Sequence, residues 1–146
     1  MSKKDDFKKQ IYGNPNWING RINRAEYIIR TLLTGLTFGV SCIGVATLYV
    51  MGMLIPAILL GLFALWMYWR IVMAYVKRLH DLGWNGWLAV FLIVYELEEQ
   101  LISNAMLSLI FNLFVFVLSL FLAFRKGDDG ANKYGKDPLM KYEENQ

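Results

Sequence analysis

The most constraining feature of this sequence is a run of 39 residues, 31–69, that contains no Asp, Glu, Lys, Arg or His. As a single helix the run would be about 58 Å long, whereas about 20 residues already cross the roughly 30 Å hydrocarbon core of a bilayer. The run therefore predicts two membrane-spanning helices joined by a tight turn. We place the turn at Gly52 and Pro56, because glycine accepts a positive φ and proline is tolerated in the first turn of a helix.

The composition supports a membrane protein and argues against a soluble enzyme, a coiled coil or a disordered chain. Hydrophobic residues make up 56% of the 146 residues and charged residues 18%, compared with about 25% charged in an average soluble domain. The length is that of one domain. The only cysteine, Cys42, lies inside the apolar run, so no disulfide can form within the chain.

Two further apolar segments complete a predicted four-helix membrane domain. Residues 100–124 carry no charge and end at Arg125 and Lys126. Residues 82–95 are only 14 long and are followed by glutamates at 96, 98 and 99, so this segment is either a short crossing or a re-entrant piece. We predict a domain over residues 17–138 with spans at about 30–51, 54–76, 82–97 and 100–124, flanked by polar tails at 1–16 and 139–146.

The positions of the basic residues predict the orientation of the chain. All 15 Lys and Arg fall within residues 3–30, 70–78 and 125–141. With four crossings these three segments lie on one side, which the positive-inside rule identifies as the cytoplasm. The sequence therefore predicts an all-α, polytopic four-helix bundle with both termini cytoplasmic. The net charge of +3 reflects this topology and gives no reason to expect a nucleic-acid partner.

Three polar motifs lie on the predicted cytoplasmic face. They read G-R-I-N-R-A-E-Y at 20–27, K-R-L-H-D-L-G at 77–83 and G-A-N-K-Y-G-K-D-P at 130–138. In this order they resemble the small bacterial inner-membrane proteins of the YhaH/YhaI type, catalogued as domain of unknown function 805. The resemblance covers roughly residues 17 to 138, implies a four-helix protein of the bacterial inner membrane and supplies no activity. The glutamates after the third apolar segment depart from the family pattern, so we expect the loop there to be specific to this chain.

The polar side chains of the three motifs support two interpretations, which stay open at this point. The arginines can bind anionic headgroups such as phosphatidylglycerol or cardiolipin, because a guanidinium group contacts phosphate through two hydrogen bonds and each basic residue near the bilayer adds about 1 kcal/mol. Alternatively, basic and acidic side chains pair with each other and hold the three segments together. The candidate residues are Arg21, Arg24, Glu26, Arg78, His80, Asp81, Asn132, Tyr134 and Asp137.

The sequence predicts no catalytic, cofactor or metal site. His80 is the only histidine, and a histidine between basic and acidic neighbours can act as a base or a pH sensor. No Ser or Cys stands at a recognised spacing from it, there is no second histidine for a metal ion, and there is no phosphate-binding glycine loop. We therefore expect His80 to be a hydrogen-bonded structural residue and the protein not to be an enzyme.

Small residues predict where helices approach each other closely. Gly35 with Gly39, and Ala57 with Gly61, form small-xxx-small pairs of the kind that pack helices in membranes. Polar residues also share a face on the first and the fourth predicted span. They either line a pathway or form hydrogen bonds between helices. These are Thr34, Thr37 and Ser41 on the first span and Asn104, Ser108, Asn112 and Ser119 on the fourth.

Three functions remain compatible with this sequence. The first is a structural or interaction protein of the cell envelope that forms a homo-oligomer or binds another membrane protein. The second is a protein that binds anionic lipids through its basic face, and the third is a small oligomeric transporter or channel. Coupled transport normally needs an ionisable residue near mid-membrane, and the first, second and fourth predicted spans contain no acidic residue deep in the bilayer. We expect the first function.

Overall fold

The structure, a computed structural model, describes residues 20–101 and 104–140, except for the side chains of residues 96–101. In these residues the chain forms α1 (Arg24–Val50), α2 (Leu54–Asp81), a short 3₁₀ helix (Gly86–Ala89), α3 (Val90–Leu101) and α4 (Ala105–Phe124). The all-helical prediction is confirmed for this part of the chain. The predicted tail at 1–16, most of the tail at 139–146 and the glutamate side chains at 96, 98 and 99 lie outside the described residues.

The hairpin of α1 and α2 follows from local signals in the sequence. Asn23 precedes α1, and its side-chain oxygen accepts a hydrogen bond of 2.8 Å from the backbone N–H of Glu26, which satisfies a free donor in the first turn. The predicted bend after α1 is confirmed. Gly52 has a φ of +74°, a conformation that favours glycine, and Pro56 lies in the first turn of α2.

Both helices are longer than the predicted spans at 30–51 and 54–76. α1 begins at Arg24, and α2 continues to Asp81. Helical hydrogen bonding does not stop where an apolar run ends, so hydropathy marks the membrane crossing and not the end of the helix. The extension of α2 makes the motif at 77–81 helical, with consequences for the site described below.

α4 begins later than the predicted start at residue 100. Asn104 stands in front of it, and its side-chain oxygen accepts hydrogen bonds of 3.0 Å and 3.2 Å from the N–H groups of Met106 and Leu107. Asn104 is therefore an exposed N-cap and does not continue the polar face that the sequence predicts for the fourth span.

The described helices differ in whether they are long enough to cross a bilayer. α1, α2 and α4 are long and apolar enough to do so, whereas the third apolar segment is shorter and begins with the 3₁₀ helix. Ring contacts give its direction: Trp84 stacks on Phe121 at 5.4 Å, and Phe91 meets Phe114 edge to face at 5.3 Å. As residue numbers rise in this segment they fall in α4, so the two run antiparallel.

The tightest packing lies at the end of the bundle that carries the three motifs. Tyr27 of α1 meets Tyr75 of α2 edge to face at 5.9 Å, and the Tyr75 hydroxyl is 3.0 Å from the hydroxyl of Ser119 on α4. Large apolar side chains at the opposite end are exposed, including Val50 and Ile55. Such exposure fits a surface covered by lipid. The buried cluster comprises Ile22, Tyr27, Val72, Ala74, Tyr75, Val76, Leu79, Leu82, Ala89 and Leu122.

The small residues behave differently from one another within a single chain. Ala57 is buried, but a Cβ added at Gly35, Gly39 or Gly61 would meet no atom within 4 Å. The close approach of α1 and α2 occurs instead at Gly44, where an added Cβ would lie 2.7 Å from a methyl carbon of Leu60. Packing of Gly35, Gly39 and Gly61 against another chain stays a prediction.

Candidate functional site

Arg78 lies in the last turns of α2 and is fully buried. Its Nη1 donates a hydrogen bond to the carboxylate of Asp81, three residues further along the same helix face. Its Nε donates a hydrogen bond of 2.8 Å to the carbonyl of Leu122, and its Nη2 donates another to the carbonyl of Arg125. These carbonyls are at the C-terminus of α4, where backbone acceptors lack helical partners and positive charge is favourable. Arg78 thus caps α4 from α2.

Arg21 connects the first motif to the other two. Its Nε donates a hydrogen bond of 3.0 Å to the carboxylate of Asp81. Its Nη1 donates a bond of 2.6 Å to the backbone carbonyl of Gly130, and its Nη2 donates one of 2.5 Å to that of Asp128. Asp81 is 3% exposed and accepts from both Arg21 and Arg78, so its buried charge is compensated. Every guanidinium nitrogen of the two arginines donates to a protein oxygen. We call this the Arg21–Asp81–Arg78 network.

Two glycines allow the loop after α4 to reach this network. A Cβ on Gly127 would collide with the carboxylate of Asp81, and one on Gly83 would lie 2.5 Å from the Asp128 carboxylate oxygen. Gly83 also has a φ of +70°. The close approach lets the backbone N–H of Asp128 donate a hydrogen bond of 2.8 Å to the backbone carbonyl of Asp81, the last residue of α2. A side chain at Gly127 would thus displace the buried Asp81 carboxylate, and one at Gly83 would adopt a strained φ.

His80 and Tyr134 hold the third motif against the end of α2. Their rings stack at 3.8 Å with an angle of 5° between planes. The side-chain amide N–H of Asn132 donates a hydrogen bond of 2.9 Å to the carbonyl of His80. The side-chain oxygen of Asn132 accepts a hydrogen bond of 2.9 Å from the backbone N–H of Tyr134. Asn132 and Gly135 also exchange backbone hydrogen bonds of 3.0 Å. The third motif is thus a folded turn docked on the second motif.

Asp137 is buried but differs from Asp81 in what surrounds its charge. Its Oδ2 accepts a hydrogen bond of 3.0 Å from the backbone N–H of Gly130, and its Oδ1 accepts one of 2.9 Å from the backbone N–H of Leu139. Among the side chains that the structure describes, no cation forms an ion pair with it. Its carboxylate is therefore held by neutral donors.

The remaining candidates lie outside the network. Arg24 is exposed at the start of α1, and Glu26 contacts Arg30 one turn later at 3.8 Å. The structure therefore brings together seven of the nine predicted residues, Arg21, Arg78, His80, Asp81, Asn132, Tyr134 and Asp137.

A cavity of about 330 Å³ lies beside the network, between the start of α1 and the segment after α4. Arg24, Lys126 and Asp129 line it together with Asp81 and Asp137. Lys126 and Asp129 are exposed and pair with each other at 2.7 Å. In the described part of the chain, no three His, Cys, Asp or Glu side chains are grouped as metal ligands.

Sequence reasoning missed several parts of this site. Gly83, Gly127 and the backbone carbonyls that the arginines contact were not among the predicted residues. Gly83, the last residue of the second motif, was a usable signal, because an isolated glycine often marks a close approach of backbone segments. A carbonyl acceptor leaves no signal, since every residue has one.

Comparison with known proteins supports only the family. A family model described as a protein of unknown function, DUF805, matches residues 17–136. No curated protein and no solved structure matches the chain significantly. The narrower likeness to proteins of the YhaH/YhaI type stays a prediction.

Proposed function

Because this chain belongs to the DUF805 family, whose description assigns no activity, we propose from its own geometry that it is a structural or interaction protein of the bacterial inner membrane. The observation that carries the proposal is the Arg21–Asp81–Arg78 network. It joins the start of α1, the end of α2 and the loop after α4 into one folded end face. A folded face of this kind can serve as a docking platform for a second copy of the chain or for another membrane protein.

We propose four crossings with both termini in the cytoplasm. Arg78 contacts the end of α4, so α2 and α4 finish at the same end of the bundle. A helix of 20 residues rises about 30 Å, which puts the start of α4 at the opposite end. Residues 82–104 must connect the two ends, and they do so through the shorter third segment. All three basic segments then share one side, which the positive-inside rule identifies as cytoplasmic.

The packing of His80 supports a role without catalysis. A base must reach the proton that it removes from a substrate. The imidazole of His80 is instead stacked on Tyr134, its Nε2 lies within 3.0 Å of where a Cβ on Gly86 would be, and the residue is 4% exposed. We propose that it serves to hold the third motif in place.

An anionic-lipid function is the second candidate, and exposed basic residues favour it. Arg21 and Arg78 are buried, and each of their guanidinium nitrogens already donates to a protein oxygen, so they are not accessible to a headgroup. Arg125 and several lysines at the same end remain exposed, and each attracts an anionic bilayer surface by about 1 kcal/mol. These exposed residues are Arg24, Arg125, Lys126, Lys133 and Lys136.

Transport has weaker support from the polar faces of the helices. The hydroxyls of Thr34, Thr37 and Ser41 donate to carbonyls four residues earlier in α1, at 2.5 Å to 2.8 Å. Ser119 likewise donates to its own helix, and its contact with Tyr75 joins α4 to α2. The expected bonds between helices are thus mostly bonds within them, so the donor hydrogens of these hydroxyls are used inside the helices and only their acceptor lone pairs remain for a solute.

The test is native mass spectrometry of the protein extracted gently from its own membrane. We expect a discrete homo-oligomer or a stoichiometric complex with one membrane protein, which is lost when Asp81→Asn weakens the network. The control is Asp129→Asn, which removes an exposed carboxylate and should leave the complex intact. A wild-type protein that is monomeric and without a partner would contradict the proposal.

A further inference from the structure

The cavity beside the network has features that the network does not use. It lies between the first turn of α1 and the residues that follow α4, so it opens where two apolar helices reach their polar ends. Its volume of about 330 Å³ is near the lower limit of roughly 300–1,000 Å³ that is typical of small-molecule pockets. The cavity therefore has room for a small ligand or the headgroup of a larger one.

The residues that line the cavity carry charges of both signs. Asp137 is 9% exposed and has no ion pair among the described residues, although a buried carboxylate is stabilised by a cation. Asp81, by contrast, is compensated by two arginines. One buried wall of the cavity thus offers an anionic group that a ligand cation can neutralise.

Arg24 provides the opposite charge at the rim. Its side chain is exposed and makes no hydrogen bond to the part of the chain that the structure describes. Lys126 is already paired with Asp129. A guanidinium group recognises a phosphate diester through two parallel hydrogen bonds. Among the described residues that line the cavity, Arg24 is therefore the group that we assign to a phosphate.

We infer that this cavity binds a phosphoethanolamine headgroup, with its ammonium group against Asp137 and its phosphate against Arg24. The lining contains four aspartates and two basic residues, so a headgroup with only negative charge would meet an unfavourable field. A zwitterionic headgroup places its positive charge against Asp137 and its negative charge against Arg24.

The surface next to the cavity fits the lipid form of this ligand. In the turns of α1 that follow Arg24, the apolar side chains of Ile29 and Leu32 are exposed. Acyl chains could lie along them while the headgroup occupies the cavity. A soluble glycerophosphodiester has the same headgroup chemistry without that contact, so the two sources are separable by experiment.

The inference rests on the membrane location proposed above and is independent of any protein partner. The test uses the full-length protein in detergent, freed of lipid, and follows binding by native mass spectrometry. The probes are phosphatidylethanolamine, its N-acetyl derivative with the same acyl chains, phosphatidylglycerol and soluble glycerophosphoethanolamine. N-acetylation removes the ammonium charge and leaves the phosphate unchanged.

The variants are Arg24→Gln and Asp137→Asn, with Arg30→Gln as the matched control. Arg30 is exposed on the same helix and does not line the cavity. We expect phosphatidylethanolamine to bind about tenfold more tightly than its N-acetyl derivative, and each cavity variant to weaken binding about tenfold, as for the loss of one charge-assisted hydrogen bond. Arg30→Gln should change binding less than about twofold.

Equal binding of phosphatidylethanolamine and its N-acetyl derivative would overturn the inference, as would identical affinities for Arg24→Gln and Arg30→Gln. Because Arg24 is exposed, that variant stays informative even if Asp137→Asn does not fold. Tight binding of glycerophosphoethanolamine would support the same headgroup chemistry and assign the site to a soluble diester. Failure of the proposed membrane location has a different signature, which is release of the protein from membranes by alkaline carbonate, and failure of the proposed interaction role is seen as a monomer without a partner.

Discussion

Arg21 and Asp81 are 60 residues apart in the chain, yet Arg21 Nε donates a hydrogen bond of 3.0 Å to Asp81 Oδ1, and both side chains are almost completely buried. The contact joins the start of α1 to the end of α2. Asp81 receives a second donor from Arg78, so one carboxylate pairs with two guanidinium groups whose other hydrogen bonds go to backbone oxygens. The stability of the whole motif end therefore depends on a single aspartate.

The first prediction concerns that aspartate. Asp81→Ala leaves two buried arginines without their counter-charge, and breaking a buried pair typically costs about 3–5 kcal/mol. We expect a loss of this size in the free energy of unfolding, measured by denaturant titration in detergent. Asp129→Ala is the control, because its exposed pair with Lys126 should contribute less than about 1 kcal/mol. Equal stability of the two variants would contradict the role given to the network.

The second prediction concerns the glycine that touches Asp81. Gly127→Ala places a Cβ against the Asp81 carboxylate, and overpacking of this kind usually costs about 1–3 kcal/mol. We expect a lower thermal unfolding temperature. Gly39→Ala is the matched control, since its Cβ meets no atom of the same chain and alanine favours helix by up to about 1 kcal/mol. A Gly127→Ala protein as stable as Gly39→Ala would show that the loop can move away from Asp81.

The third prediction concerns the stack of His80 on Tyr134. Tyr134→Ala removes the ring contact, whereas Tyr134→Phe preserves it, and aromatic pairs contribute about 0.5–1.5 kcal/mol beyond burial. We expect faster amide hydrogen exchange in residues 127–138 for Tyr134→Ala and nearly wild-type exchange for Tyr134→Phe. Similar exchange in both variants would mean that the Asn132 hydrogen bonds hold the turn without the stack.

The fourth prediction tests the proposed topology. In a Cys42→Ser background, we expect Asn104→Cys to react with a membrane-impermeant maleimide in intact cells, because Asn104 precedes α4 at the end opposite the motifs. Lys133→Cys should react only after the membrane is permeabilised. Both positions are exposed, so access and not burial decides the result. Labelling of both sites from the same side would exclude four crossings.

Hydropathy and turn chemistry predicted the three helices that are long and apolar enough to cross a membrane and the bend at Gly52, because long apolar runs and positive-φ glycines have direct consequences for the backbone. The extension of α2 to Asp81 was not predicted, since a helix can continue beyond the bilayer without changing its hydropathy. The positions of the basic residues predicted that the three motifs lie on one face. The contacts within the site were not predicted, because Arg21 and Arg78 bind mainly backbone carbonyls, which every residue carries.

The bond from Arg78 to the carbonyl of Leu122 also has a consequence for biosynthesis. The donor is made 44 residues before its acceptor, and Arg21 precedes its acceptor on Gly130 by 109 residues. Until those carbonyls emerge from the ribosome, Asp81 is the one partner in the network that Arg21 and Arg78 can contact. The nascent chain therefore carries the α1–α2 hairpin without the carbonyl contacts of its two arginines. These contacts form only after the residues that follow α4 have been translated.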